Sequence, residues 1–209
     1  LHHYHEQLRQ LPPDQPDPSQ QHAALLQNLS SQKFEQELQR GAGALGYYVR
    51  WQQTMPGYLE WAEQQAASYS YLAGEQARER LLQWPGGQIV LHGRLDRIDQ
   101  DQAGQQIIID YKTGAASSLQ AKIEGEDQQL AFYGLLDRQA SQAVFLSLDK
   151  KKITLVSADD FANRTKKLEQ HIVHSMQALQ AGAALPANGN ASACQYCEMA
   201  GLCRKGGWA

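Results

Sequence analysis

The first third of the chain spaces its hydrophobic residues as amphipathic helices do. Residues 1–11 predict a short helix and residues 20–71 a succession of longer helices, because apolar positions recur there at roughly helical spacing. Four prolines between residues 12 and 18 predict a loop after the first helix. Gly41 and Pro56 predict breaks within the longer helical stretch, since glycine and proline both disfavour a helix interior.

The pattern changes after Gly74, where β-branched and apolar residues replace the helical spacing. Residues 88–99 and 105–113 predict two strands, and the polar residues 100–104, which end in glycine, predict the hairpin turn between them. A helix is predicted over residues 121–138. The middle of the chain is therefore expected to form a β-hairpin followed by a helix.

The last third predicts two short strands and a long helix. Strands at residues 143–148 and 152–156 are joined by a short charged turn. Ser157 and Asp160 have the spacing of a capping box, and the helix that follows is predicted to end near Gly182. The complete order of elements predicts an α/β fold, with a small mixed β-sheet flanked by helices and a helical N-terminal region.

The same pattern divides the chain into three parts. We expect residues 1–75 to be a helical region packed on a core, residues 76–185 to be that α/β core, and residues 186–209 to be a cysteine-bearing tail. The 209 residues are 42% hydrophobic, which is enough to bury one sizeable core. Because the chain begins at Leu1 rather than at methionine, we expect it to be a fragment of a longer protein.

Charge and cysteine content narrow the class of protein. The net charge is −3, so the chain as a whole has no positive charge that would attract nucleic acid. DNA binding would therefore need a local basic patch. The apolar runs are too short to span a bilayer, and no signal peptide opens the chain, so no membrane partner is expected. The three cysteines all fall within the last sixteen residues, which indicates a reducing, cytoplasmic compartment and a local thiol site.

Two acidic residues and a lysine lie on the predicted hairpin. Side chains alternate along a strand, so Asp110 and Lys112 share one face while Tyr111 points to the other. If Asp96 lies on the neighbouring strand, two carboxylates and an ammonium group converge. The alternative is that these acids form ordinary surface salt bridges with nearby cations such as Arg94.

The converging arrangement has a specific chemistry. Two carboxylates with room for water suit Mg²⁺ or Mn²⁺, which keep several water ligands. A metal held by Asp96 and Asp110 polarises a phosphate and lowers the pKa of a bound water, and Lys112 can orient that water or stabilise charge on the phosphoryl oxygens.

Gln129 and Tyr133 add a polar pair on the predicted helix. They stand four residues apart and therefore share one helical face. Their amide and phenol could hydrogen-bond phosphates or the lysine. The alternative is that Tyr133 is a half-buried packing residue, which is the commoner role of a tyrosine on an amphipathic helix.

Taken together, these motifs resemble those of the PD-(D/E)xK nucleases of the RecB/AddB type. The shared pattern is Gly-x-x-Asp-Arg-x-Asp, a strand ending in Asp-Tyr-Lys-Thr-Gly, and Gln-x-x-x-Tyr on a helix. The resemblance implies a restriction-endonuclease-like core with Asp96, Asp110, Lys112, Gln129 and Tyr133 as the catalytic residues. It also implies that the two aspartates and the backbone carbonyl of Tyr111 bind the metal.

The same family carries a histidine metal ligand on an N-terminal helix, usually within His-x-x-Leu-Glu. His5 and Leu8 match the first part of that motif, but Arg9 replaces the glutamate. The resemblance therefore implies His5 as a metal ligand, with His2 and His3 as rivals. An exposed polar helix without a ligand is the alternative.

The cysteines have the spacing Cys194-x2-Cys197-x5-Cys203, which is typical of a metal or cluster loop. By the resemblance, these three cysteines and one upstream cysteine hold a [4Fe-4S] cluster in the intact protein. This chain supplies no fourth cysteine, so we expect it to be colourless.

The resemblance implies a metal-dependent DNA exonuclease domain of a helicase-nuclease type protein of DNA repair and recombination. Its partners would be DNA, chiefly single-stranded ends, and a helicase domain or subunit. Gln129, Tyr133, Lys150 and Lys151 are the candidate DNA-binding residues, although a solvated hairpin tip explains the two lysines equally well. Two alternatives are a catalytically inactive DNA-binding or structural module and a zinc-ribbon-like interaction domain.

Overall fold

The computed structural model describes residues 1–11, 17–125, 127–184, 189 and 194–203. It contains five strands and six main helices in these residues, with a short 3₁₀ turn at Ala42–Ala44 and a helical turn at Ala200–Cys203. The helices are α1 His2–Leu8, α2 Pro18–Arg40, α3 Leu45–Ala66, α4 Ala116–Glu124, α5 Gln129–Leu136 and α6 Phe161–Gln180. The strands are β1 Tyr69–Trp84, β2 Gly87–Asp101, β3 Gln106–Lys112, β4 Ala140–Asp149 and β5 Lys152–Ser157.

The five strands form one mixed sheet in the order β1-β2-β3-β4-β5. Only β3 and β4 pair in parallel; the other three neighbouring pairs are antiparallel. The parallel pair is joined by α4 and α5, because parallel strands need a crossover that carries the chain back along the sheet. The predicted α/β fold with a mixed sheet and helical N-terminal region is confirmed.

Helices cover both faces of the sheet, so β3 and β4 are buried on both sides. On one face, α4, α5 and α6 pack over a core that includes Ile108 and Phe145. On the other face, α1, α2 and α3 pack over a second core that includes Ile109 and Leu146. The alternation of Ile108 and Ile109 between the two cores explains why β3 reads as an unbroken apolar run.

The N-terminal helices begin and end largely where their sequence requires. Asp17 caps α2 by accepting a hydrogen bond from the backbone of Gln20, and Pro18 occupies the first turn, where its missing N–H costs nothing. The helix ends before Gly41 as predicted. The break predicted at Pro56 is wrong: α3 runs through it, because the neighbouring Met55 is buried in the core and tertiary packing offsets the lost backbone hydrogen bond.

The first strand begins earlier than the sequence predicted. Helical residues end at Ala66, and β1 pairs with β2 from Tyr69 onward, so the predicted boundary between residues 75 and 76 lies within a strand. Strand β1 forms a long two-stranded extension of the sheet, and its residues alternate in exposure. The sequence did not reveal this strand because its exposed positions are polar.

Two other boundaries also differ from expectation. The predicted helix 121–138 is two helices, because α4 ends at Gly125 and α5 starts at Gln129. The N-cap of α6 is Asp160, and no side chain makes a capping hydrogen bond there, so the Ser157 capping box does not form. Within the described ranges, no helix is long and apolar enough to cross a membrane.

Candidate functional site

The β2–β3 hairpin brings Asp96 and Asp110 side by side. The ladder pairs Arg97 with Ile109, so the two aspartates stand one position beyond that pair on their respective strands. The backbone N–H of Tyr111 donates to Asp96 Oδ2 at 3.1 Å, which fixes the first carboxylate against the strand that carries the second. The predicted convergence of the two acids therefore follows from the register of the hairpin.

Helix α5 supplies two donors to one oxygen of Asp110. Tyr133 Oη donates to Oδ1 at 2.6 Å, and Gln129 Nε2 donates to the same atom at 2.9 Å. Gln129 Nε2 also lies 2.6 Å from Tyr133 Oη, so the amide, phenol and carboxylate form one connected group. The expectation that this pair could bond Lys112 is not met; both side chains are directed at Asp110 instead, because α5 packs across the face of β3 that carries the carboxylate.

The other oxygen of Asp110 faces the lysine. Lys112 Nζ lies 2.6 Å from Oδ2, yet this buried oxygen accepts no hydrogen bond of acceptable geometry from the described residues. The lysine side chain is about one third exposed, whereas the Asp110 side chain is almost fully buried. The ammonium group also lies 5.1 Å from the centre of the Phe145 ring. The Lys112 ammonium group therefore pairs with the buried carboxylate of Asp110 while part of the lysine side chain contacts solvent.

The carboxyl groups of Asp96 and Asp110 lie close together in a partly buried site. Burial raises the pKa of Asp96, and the neighbouring Asp110 charge raises it further, whereas the Tyr111 backbone donor and Lys112 oppose that rise. Burial and the hydrogen bond to Asp110 raise the pKa of Tyr133 above its ordinary value, so the phenol stays protonated as a donor. The arrangement favours a cation between the two carboxylates.

These donors fit a small divalent metal ion. Asp110 Oδ2 is a buried oxygen that forms an ion pair with the Lys112 ammonium group at 2.6 Å, and Asp96 is a second carboxylate close enough for the two charges to repel. Oxygen donors of this kind suit Mg²⁺ or Mn²⁺, which complete their shells with water. In the described residues, however, no group of three or more His, Cys, Asp or Glu side chains is placed to hold a metal. The protein would supply two carboxylates, with water or substrate oxygens at other positions.

His5 lies in a separate cluster on the opposite face of the sheet. It is buried, and its Nε2 accepts from an Arg97 guanidinium nitrogen at 2.7 Å and contacts the Tyr58 hydroxyl. Burial first, and then the Arg97 charge, lower the pKa of His5 to about 2, so the imidazole is neutral. The structure therefore does not group His5 with Asp96 and Asp110, because Arg97 and Asp96 point to opposite faces of β2.

His2 is nearer to the acidic pair. Its Nδ1 lies 3.1 Å from the Tyr71 hydroxyl, and a Cβ added to Gly74 would lie within about 3 Å of both this nitrogen and the backbone oxygen of Asp96. Gly74 therefore lets α1 approach the sheet closely at this point. His3 is exposed and lines a groove on the N-terminal side.

The sequence argument missed the cluster that surrounds His5. Arg97 forms a bidentate ion pair with Asp99, with N–O distances of 2.6 and 2.9 Å, and both side chains are almost completely buried. Arg97 also donates to the hydroxyls of Tyr58 and Tyr111. The available signal was the Arg-x-Asp spacing, which places both residues on the strand face opposite Asp96.

The remaining predicted residues lie away from this group. Lys150 and Lys151 lie at the exposed tip of the β4–β5 hairpin; β4 runs parallel to β3 and pairs Ser147 with Lys112, so the tip is at the same end of the sheet. Among the residues that the structure describes, Cys194, Cys197 and Cys203 form no disulfide and are not gathered into a metal-binding set.

Comparison with known proteins identifies a family. A family model described as the PD-(D/E)XK nuclease superfamily matches residues 1–204. No curated protein matches the chain. One similar solved structure is titled "Crystal structure of SSO0001"; it is 19% identical, the match covers 77% of this chain and 70% of that chain, and the TM-score is 0.40.

Proposed function

Because the chain belongs to the PD-(D/E)XK nuclease superfamily, we propose that it hydrolyses DNA phosphodiester bonds with a divalent metal held by Asp96 and Asp110. The observation that carries the proposal is the organisation of Asp110. Its buried carboxylate takes two donors on one oxygen, while the other oxygen forms an ion pair with Lys112. The carboxylate of Asp110 is thus held in a fixed orientation in which it can bind a divalent cation.

The chain's own residues have distinct parts in this proposal. Mg²⁺ or Mn²⁺ at the carboxylates supplies Lewis acidity toward the phosphate and lowers the pKa of water. Lys112, partly exposed beside Asp110, stabilises negative charge that develops on the phosphoryl oxygens. Gln129 and Tyr133 act as positioning residues, because they contact Asp110 rather than the space a phosphate would enter. The backbone carbonyl of Tyr111 is a further proposed metal ligand.

We further propose the RecB/AddB type of context for this domain. There it would act as an exonuclease on single-stranded ends that a helicase domain or subunit delivers, with Lys150 and Lys151 contacting the backbone at the hairpin tip. The acidic net charge of −3 supports delivery by another domain or subunit, since the chain as a whole does not attract DNA. The three cysteines would supply three ligands of an iron–sulfur cluster, which needs a fourth ligand from another residue.

An activity assay with matched variants tests the proposal. End-labelled single-stranded DNA is incubated with Mn²⁺ and either wild-type protein, Asp110→Asn or Asp159→Asn. Asp159 is an exposed acid just before α6, so Asp159→Asn is the control for loss of one negative charge. We expect Asp110→Asn to lose activity by about 100-fold or more while the control retains it.

The other outcomes of the assay are equally informative. Equal DNA degradation by wild type and Asp110→Asn would show that Asp110 is not part of the machinery. A folded wild-type protein that binds DNA but never cleaves it, with either metal, would identify an inactive DNA-binding module. Stoichiometric zinc without activity would instead indicate a cysteine-coordinated interaction domain.

A further inference from the structure

A groove runs between the N-terminal helices and the ends of two central strands. Its volume is about 370 Å³, and its walls come from α1, α2 and α3 and from Thr113 and Leu148 at the ends of β3 and β4. The groove is mainly apolar, and its lining includes the buried Tyr4 and three more accessible aromatic side chains, Phe34, Tyr47 and Trp51. The family motifs account for none of these three residues.

The three accessible rings differ in burial, since Tyr47 is exposed whereas Phe34 and Trp51 are half-buried and Trp51 packs against the second core. Tyr47 is 68% exposed, which is unusual for a large ring with no packing role. Trp51 is half-buried, and its indole N–H donates to Ser30 Oγ at 2.7 Å, so the ring has a fixed orientation. Phe34 packs against Tyr48 with ring centres 4.9 Å apart. Trp51 and Phe34 are therefore held in place by contacts with other side chains of α2 and α3.

The polar part of the groove is cationic. Lys33 precedes Phe34 on α2, and Arg50 lies three residues after Tyr47 on α3, so each cation is beside an aromatic residue. Lys33 forms an exposed ion pair with Glu37, which costs little to break, and Arg50 forms no ion pair with any residue that the structure describes. No described acidic side chain lines the groove. The local charge is therefore opposite in sign to the net charge of the chain.

The groove lies at the end of β3 that carries the acidic site, and it opens on the opposite face of the sheet. Thr113, in its wall, directly follows Lys112 in the chain. Leu1, in the same wall, has an amino group on which the charge of Asp96 acts. A polymer lying in the groove would therefore reach the candidate catalytic residues at the end of β3.

We propose that this groove binds the unpaired bases and phosphates of single-stranded DNA and leads the strand to Asp96 and Asp110. Bases would stack on Tyr47, Trp51 and Phe34, and phosphates would contact Lys33 and Arg50, which is the combination that single-stranded nucleic acids require. Paired bases do not expose their faces, so the groove selects against duplex DNA. The identity of the ligand as DNA rests on the proposed function, but the binding site itself is separate from the hydrolytic residues.

Binding can be measured without hydrolysis by chelating divalent metals. The fluorescence anisotropy of a labelled oligothymidylate is titrated with the 209-residue chain in EDTA, for wild type, Tyr47→Ala and the control Tyr196→Ala. Tyr196 is 83% exposed outside the groove, so its removal also deletes a surface ring. We expect Tyr47→Ala to weaken binding at least about fivefold and the control to bind as wild type.

A second pair of variants tests the phosphate contact. We expect Arg50→Gln to reduce the slope of log K against log salt by about 0.7, the value for one phosphate on a single strand. Lys167→Gln, an exposed cation on α6, should leave the slope unchanged. Unchanged binding in both groove variants, or equal affinity for a blunt duplex of the same sequence, would overturn the proposal.

A small phosphodiester separates failure of the groove from failure of the catalytic assignment. Bis(p-nitrophenyl) phosphate with Mn²⁺ is too short to occupy both places, so we expect Tyr47→Ala to hydrolyse it at the wild-type rate. Normal hydrolysis with unaltered DNA binding would refute the groove alone. Weakened DNA binding in a protein that hydrolyses neither substrate would support the groove and refute the nuclease proposal. Loss of self-association with unaltered DNA binding would assign the groove to a second copy of the chain and overturn the proposal.

Discussion

At the scale of single residues, Asp110 organises the candidate site. It contacts Gln129, Tyr133 and Lys112 at once, and it is only 2% exposed. An ionised carboxylate this deeply buried needs compensation from donors and cations. The two donors from α5 hold one oxygen and leave the other directed at Lys112.

Removing one donor tests whether α5 positions this carboxylate. In Tyr133→Phe the ring is retained but the hydrogen bond to Asp110 Oδ1 is lost, and hydrogen bonds to charged groups are worth about 1.5–3 kcal/mol. We expect kcat to fall by about tenfold with little change in KM, since the phenol does not contact substrate. Steady-state kinetics on DNA, with the exposed Tyr196→Phe as control, provide the measurement. A change confined to KM would instead place Tyr133 in contact with the DNA.

Periodicity predicted much of this geometry and left the rest open. The two-residue period of a strand correctly placed Asp110 and Lys112 on one face and Tyr111 on the other. It could not show that Gln129 and Tyr133 reach Asp110, because that contact depends on how α5 packs over β3. Nor could it decide which face of α1 is buried; the prediction of His5 as a ligand, with His2 and His3 as rivals, rests on the resemblance to the His-x-x-Leu motif instead.

At the scale of elements, the β2–β3 hairpin has charged groups on both faces. On the face opposite the acidic pair, Arg97 is held by Asp99, His5 and the Tyr58 hydroxyl, and its guanidinium lies 5.2 Å from the centre of the Trp61 ring. These contacts connect β2 to α1 and α3. The cluster fixes the strand on which Asp96 stands.

Breaking this buried pair should destabilise the protein strongly. Arg97→Met leaves the Asp99 carboxylate, which is 0% exposed, without its cation, and removing one partner of a buried pair costs about 3–5 kcal/mol. Arg94→Met, on the same strand but exposed, should change the free energy of unfolding by less than about 0.5 kcal/mol. Urea denaturation measures both variants. Equal midpoints for the two variants would show that the cluster does not stabilise the hairpin.

The neutral His5 predicts a particular pH dependence. Its pKa is lowered to about 2 in the folded chain, whereas an unfolded histidine titrates near 6.5, so the unfolded state binds the extra proton between these values. This contribution to stability is present above about pH 6.5 and is lost as the pH falls, by an amount on the order of 3 kcal/mol near pH 4. The stability advantage of wild type over His5→Gln should therefore shrink on acidification. A constant difference between pH 7 and pH 4 would contradict the buried neutral state.

The elements that sequence patterns missed are those that tertiary packing decides. The predicted break at Pro56 is wrong because the neighbouring Met55 is buried and holds α3 in place. The strand that begins at Tyr69 has polar residues because it forms a long antiparallel extension with β2. Helices α2 and α6 and the strand β3 were found because each has a continuous pattern of its own. Local signals thus sufficed where an element is amphipathic or wholly apolar.

At the scale of the whole molecule, charge and donors are distributed unevenly. The net charge is −3, yet the polar part of the groove beside α2 and α3 is cationic, and the groove lies at the end of β3 that carries the acidic pair. An anionic polymer would be attracted along the groove, and the carboxylates would accept it only with a metal ion bound. The two features together describe a path for a strand across the end of the sheet.

The cysteine-bearing tail gives a prediction for the whole chain. The sequence has three cysteines, Cys194, Cys197 and Cys203, and no fourth cysteine to complete a cubane cluster. The purified chain, handled without oxygen, should be colourless and contain less than about 0.1 iron per molecule by metal analysis. Absorbance near 400 nm with about four irons per chain would show that another residue completes the cluster.

The central claim is that two aspartates on neighbouring strands hold one catalytic metal ion. Crystals of the chain soaked in Mn²⁺ and measured at the manganese absorption edge test it directly. We expect one anomalous peak within about 2.5 Å of a carboxylate oxygen from both Asp96 and Asp110. An ordered Mn²⁺ bound elsewhere, with Asp96 and Asp110 making no contact to metal, would contradict the account.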